Sequence, residues 1–193
     1  MLPQRIVSGG AGATWDPAKK GTDAVLSSGN TILTTSGATA QALATSGYTT
    51  GKYYFEVLCN AAANPRCVGL SRTGGVTDLN SDLGQEAGEY AWHSSGNSYF
   101  AGSFGAVSGA GFGAGDVVGV AVDFGLRRMW ISVNGTYITG NPATNTSPIV
   151  TYASGLGTMF AAASVTGGTD SLTLRTASGS FSHAIPSGFA AYG

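Results

Sequence analysis

Charge is what this sequence has least of. Nine Lys and Arg and ten Asp and Glu make up only 10% of its 193 residues, against roughly 25% in ordinary soluble domains. The net charge of −1 leaves no basic footprint for nucleic acid or anionic lipid, so neither is expected as a partner. Low charge also suits membrane chains, but no apolar run approaches the ~20 residues of a spanning helix, and no membrane insertion is expected. The opening Met-Leu-Pro-Gln-Arg-Ile-Val lacks a basic stretch followed by a long apolar one, so no signal peptide is read there. Cysteine is nearly absent. Cys59 and Cys67 flank a connector containing Ala-Ala-Ala-Asn-Pro. If that connector turns a hairpin the two could pair, but two buried thiols is the simpler expectation for a chain made in a reducing cytoplasm. Asn134 and Asn145 match the glycosylation pattern and, without a secretory signal, read as turn residues. There is no sustained helical period and no repeat of fixed length.

What the sequence does have is 31 glycines, many Ser, Thr and Asn, and 42% hydrophobic residues. That is enough to bury a core in one domain, and the make-up is that of a fibrous or particle-borne β protein. Little charge keeps copies apart, so a homo-oligomer or a multi-copy assembly is expected. Short runs rich in Val, Ile, Thr, Tyr and Phe alternate with Gly, Ser, Asn and Pro clusters, the pattern of a sandwich or barrel. Strands are expected over residues 31–34, 52–59, 67–71, 90–93, 117–123, 128–133, 159–164 and 171–175, with weaker ones at 25–27, 39–44, 98–101 and 136–138. Tyr53, Phe55 and Val57 fall on one face of the second run, opposite Tyr54, Glu56 and Leu58. Glu56 cannot be buried unpaired, so its face is either wet or supplies a cation. The spacing around Gly125 and the Asn134-Gly135 pair predicts two hairpins in succession, hence a meander over 117–138. Residues 1–14 read as a flexible or anchoring arm and 15–193 as a single domain. Residues 72–89, 140–157 and 179–184 read as loops, where binding surfaces usually sit.

Catalytic chemistry finds no constellation. His93 and His183 have no companion at metal-ligand spacing. The Gly69-Leu-Ser71-Arg-Thr-Gly74 run resembles a nucleophile elbow, but its second glycine comes one place late and no helix follows. The glycine-rich run from Gly109 to Gly115 lacks the Lys-Ser/Thr of a phosphate cradle, so no cofactor is expected. Asp78, Asn80 and Asp82 place oxygens at alternate positions, and Glu89 stands twelfth from Asp78, as in calcium loops. Against calcium, the glycine is one place late and no helix flanks the run. A solvated turn loop is the alternative. Trp15, Trp92 and Trp130 read as core, and of Tyr99 and Phe100 at least one should be.

Four blocks resemble the SPRY domain family. They are Ser46-Gly-Tyr-Thr-Thr-Gly-Lys-Tyr-Tyr-Phe-Glu-Val, Cys67-Val-Gly-Leu-Ser, Tyr90-Ala-Trp-His-Ser-Ser-Gly, and Gly115-Asp-Val-Val-Gly-Val-Ala-Val-Asp-Phe with Met129-Trp-Ile-Ser-Val-Asn-Gly. They lie in order between Trp15 and Tyr192. The resemblance implies an all-β, two-sheet antiparallel β-sandwich of the concanavalin-like jelly-roll kind, used for binding and not for catalysis. The run from Gly140-Asn-Pro to Ile149 and the closing Pro186-Ser-Gly-Phe resemble the phage and bacterial branch of the family. That branch implies a virion structural or decoration protein, located on the particle and bound to other virion proteins. A second expectation is host recognition, with a cell-surface glycan or receptor read by loop residues Arg72, Asp78, Asn80, Asp82, Glu86, Tyr137, Asn141, Asn145 and Tyr152. A third is an intracellular peptide-binding adaptor.

Overall fold

Alternation along the strands decides the architecture. In β5 (Lys52–Ala61), Phe55, Val57 and Cys59 enter one cluster of buried side chains while Tyr54 enters another on the opposite face. A strand apolar on both faces must be covered twice, which calls for a stacked sheet on one side and a covering segment on the other. The computed structural model, which describes residues 12–74 and 76–193, has that arrangement.

One sheet has seven strands in the order β1 (Trp15–Lys20), β4 (Ala40–Tyr48), β14 (Met159–Val165), β6 (Arg66–Arg72), β7 (Tyr90–His93), β8 (Asn97–Phe100) and β9 (Ser103–Ser108). The other has nine strands. Its main path runs β12 (Thr136–Tyr137), β11 (Arg128–Val133), β10 (Val117–Asp123), β5, β15 (Ser171–Arg175), β3 (Ile32–Thr35) and β2 (Ala24–Ser27), with β13 (Val150–Thr151) on β11 and β16 (Ala190–Ala191) on β5. Pairing is antiparallel except for β16, which runs parallel to β5 at Tyr53 and Tyr54. It takes the stretch of edge that β15 leaves open after pairing Arg175 with Glu56. The expected all-β sandwich is therefore present, with this one parallel exception.

Trp15, Trp92, Phe55, Val120, Ile131, Met129 and Tyr192 fill the space between the sheets. Each such side chain contributes roughly 1.5–3 kcal/mol by leaving water. The outer faces are covered as well. Leu79 and Leu83 of the loop before β7 lie over Leu43, Cys67, Ala91 and Phe160. On the other sheet, Phe181, Ile185 and Phe189 lie over Tyr54, Ala121 and Trp130. Cys59 faces the inter-sheet core and Cys67 the outer cover, so the two buried thiols stand on opposite faces and are free.

The meander forms as expected. Asn134 and Gly135 turn it with φ of 50° and 78°, a mirror-image turn that only such residues enter cheaply. The Asn134 side chain fixes the turn further, accepting from the Val117 N–H at 2.9 Å and donating to Asp116 at 2.7 Å. The expected arm lies outside the described residues up to position 11. Its last three residues belong to the domain instead: the Thr176 hydroxyl donates to the Ala13 carbonyl at 2.8 Å, and the Thr45 N–H donates to the Thr14 carbonyl at 2.8 Å.

Candidate functional site

The acidic loop turns its oxygens inward, onto its own backbone. Asp78 accepts from the Asn80 N–H at 2.8 Å, and Glu86 accepts from the N–H groups of Thr77 and Asp78. Asn80 reaches across to Thr22, and Asp82 accepts from the Thr166 hydroxyl at 3.5 Å. Glu89 is fully buried and takes the N–H groups of Gly84 and Glu86, each at 3.0 Å, with the Ser71 hydroxyl at 3.3 Å. Asp78, Asn80, Asp82 and Glu89 are thus not brought together as calcium ligands. Among the described residues, no group of three or more His, Cys, Asp or Glu is placed to share an ion. Alternate spacing satisfies turn geometry as readily as it satisfies a cation.

Burial pushes the Glu89 carboxyl above its ordinary value, outweighing the hydrogen bonds that pull it down. Folding therefore favours its protonated form. That contribution is complete below the ordinary Glu value and is lost as pH rises through the raised folded value. Urea titrations should show the wild type losing stability relative to Glu89→Gln across that window. A constant difference between the two proteins would contradict the shift.

The other sequence candidates separate. Arg72 ends β6, its guanidinium 3.4 Å from the Ala87 carbonyl. Tyr137 is half-buried against Tyr54 and Trp130 on the outer face. Asn141 and Asn145 shape the 140–149 turn. Asn141 accepts from the Ala143 N–H and forms an isolated bridge with Thr146, and Asn145 takes a φ of 57°. Trp130 Nε1 donates to the Thr146 carbonyl at 2.9 Å, which fastens that turn to the sheet. Tyr152 is more buried than a loop contact residue was expected to be, although it also lines a groove at one end of the sandwich. The residue is only 4% exposed and its ring packs 5.5 Å from Tyr90 in the inter-sheet core, because β13 carries the segment back along β11. Burial and the Asp123 charge push its hydroxyl up.

Where that segment leaves β11, a groove of about 240 Å³ opens at one end of the sandwich. Tyr48 and Thr49, the β10–β11 turn through Phe124, Gly125 and Arg127, and residues 152–157 line it. Backbone bonds lock these pieces together: the Phe124 N–H to the Gly51 carbonyl, and the Tyr152 N–H to the Arg127 carbonyl, each at 2.9 Å. Tyr48 is stacked on Tyr53 at 3.9 Å and donates to the Tyr192 carbonyl at 2.7 Å. The walls are therefore braced by backbone bonds, and Tyr48, Phe124 and Tyr152 supply their aromatic part. Arg127 holds a φ of 58°, and its Nε donates to the Tyr152 carbonyl at 3.3 Å. Arg127 was not among the sequence candidates.

The remaining chemical candidates are structural. Ser71 is buried on Glu89, with no histidine among its hydrogen-bond partners. His93 Nδ1 lies 2.7 Å from the Ser95 hydroxyl, and burial holds its imidazole below the ordinary value. His183 gives its N–H to Glu56 at 2.8 Å.

Residues 52–174 match the SPRY domain family. The dual specificity protein kinase splA of Dictyostelium discoideum is 30% identical over 107 residues, which are 55% of this chain and 4% of that protein. The chain thus spans a small fraction of that relative's length. The SPRY domain of human HERC1 superposes with a TM-score of 0.66 at 20% identity, covering 83% of this chain and 96% of that one. A second human SPRY domain gives 0.59 at 16% identity, over 79% and 94%. At these identities the two structures speak to the fold.

Proposed function

Because the chain belongs to the SPRY domain family, we propose that it is a non-catalytic protein-binding module that seats a segment of its partner in the end groove. The groove carries this reading: three loop pieces, bonded to one another on a rigid sandwich, leave a preformed concavity walled by Tyr48 and Phe124. Preformed sites bind with less ordering cost than mobile loops do. The buried carboxylates support the non-catalytic half. Glu56, Glu89 and Asp170 each accept backbone N–H groups and hold loops in place. A random dodecapeptide display library panned on the full chain supplies the test. Ser154→Trp, on the exposed rim, should raise the Kd of selected peptides at least tenfold without lowering the melting temperature. An unchanged Kd would move the binding surface elsewhere.

A finer reading makes the chain a structural or decoration component of a phage particle, present in several copies beside other virion proteins. One observation supports its multi-copy part. The edge strand β9 has no charged residue, and its Phe104 is 55% exposed, where solitary domains usually guard an edge with charge or proline. Incorporation into purified particles at fixed stoichiometry would support it. Saturable binding of host polysaccharide through Asn141 and Tyr137 would favour host recognition instead.

A further inference from the structure

We infer that the end groove selects partner segments presenting a carboxylate, with Arg127 as the residue that reads it. The inference rests on the groove being the binding site. The lining includes one cation, Arg127, and no Asp or Glu. Asp123 ends β10 beside the turn, but its charge is taken up locally: Oδ1 accepts the Leu126 N–H at 2.9 Å, and Oδ2 stands 3.3 Å from Lys52 Nζ. Arg127 Nε is held by the Tyr152 carbonyl, which aligns the side chain along the groove wall. Among the described residues, its terminal nitrogens make no hydrogen bond or ion pair, so two donor nitrogens in a planar fork are left for a ligand. In the same lining, the backbone N–H groups of Ser154, Gly155, Leu156 and Gly157 have no intramolecular acceptor among the described residues, and successive free N–H groups suit an anion.

The backbone adds a second observation. Position 127 lies in the left-handed region, at φ 58°, where glycine would be under less strain. Gly125, two places earlier, is not in that region. An arginine at a position that glycine would occupy more comfortably fits a side chain that is used. The occupant is thus a protein segment with an apolar side chain against Tyr48 and Phe124 and a carboxylate opposite Arg127. The carboxylate could come from an Asp or Glu side chain or from a chain terminus.

Arg127→Gly is the informative variant because its backbone suits the turn, so the fold should be kept or strengthened. Peptides selected on the full chain are measured by fluorescence anisotropy, first as acids, then with Asp and Glu replaced by amides, then with an amidated C-terminus. The expected result is an acidic consensus and about tenfold weaker binding to Arg127→Gly. The peptide amide that removes the same carboxylate should add no further loss, and which amide does so identifies the source. Arg127→Lys should recover part of the affinity, and added salt should weaken binding to the wild type. Peptides lost on Ser154→Trp but bound equally by Arg127→Gly would overturn the carboxylate inference and leave the groove standing. Peptides indifferent to both variants would overturn the groove and the inference together.

Discussion

Replacing Glu56 by alanine is expected to remove about 3–5 kcal/mol of stability and to loosen residues 181–189, while β16 and Tyr192 stay anchored. The carboxylate is fully buried on the outer face of β5. One oxygen accepts from the Tyr54 hydroxyl at 3.0 Å and the His183 N–H at 2.8 Å, and the other accepts from the Ser182 N–H at 2.7 Å. Arg175 stands 3.7 Å away. Truncation takes the acceptor from two backbone N–H groups and the counter-charge from a partly exposed guanidinium, and it unfastens the segment whose Phe181, Ile185 and Phe189 cover Trp130. Glu56→Gln keeps an oxygen for one donor but turns an NH₂ toward the other, so a loss of about 1–2 kcal/mol is expected. Urea titration measures both losses, and hydrogen exchange at Ser182 and His183 reports the release. A loss below about 1 kcal/mol for the alanine variant would mean that apolar cover alone holds the segment.

Asp170→Ala should be comparably severe, about 3–5 kcal/mol, for a different reason. Asp170 is fully buried, 3.3 Å from the Nη1 of Arg66, which is itself only 6% exposed. It also accepts the N–H groups of Ala63 and Asn64, closing the connector between β5 and β6. Arg66 Nε already lacks a partner, so losing Asp170 leaves a buried cation with little beyond the face of Phe112. The double replacement Arg66→Met with Asp170→Leu should recover most of the loss, since it buries no charge. A double variant as unstable as the single one would place the cost in the connector and not in the unpaired cation.

Both carboxylates show how far the amino-acid order could be read. The alternation around Glu56 was legible, and so was the need to satisfy it. The options seen were water or a cation, whereas the main partners are backbone N–H groups more than a hundred residues away. Strands 52–59 and 117–133 were legible because two-sided alternation and the Asn134-Gly135 turn reinforce each other. β1 was not, because Trp15-Asp-Pro-Ala-Lys-Lys carries a proline and three charges that only an edge strand tolerates. β9 was not, because serine, glycine and alanine give it no period to detect. In the candidate site, Tyr152 was placed correctly in a non-helical connection, yet its ring turns into the core because β13 pairs there. Arg127 left one trace in the order of residues, a long side chain in a turn that a neighbouring glycine seemed to serve.

The strand order has a consequence for how the protein comes into being. β14 lies between β4 and β6, so the seven-stranded sheet cannot close until residues 159–165 have left the ribosome. Tyr192 then inserts its ring among Tyr48, Tyr53 and Phe55 and bonds to Ser46 and Ala161. Closing loops of that span is slow, in the millisecond-to-second range typical of sandwiches. During synthesis the early strands therefore wait with open edges, and collapse on emergence would trap them unpaired. In a chain with so few charges to keep neighbours apart, that waiting period is when chaperones matter most.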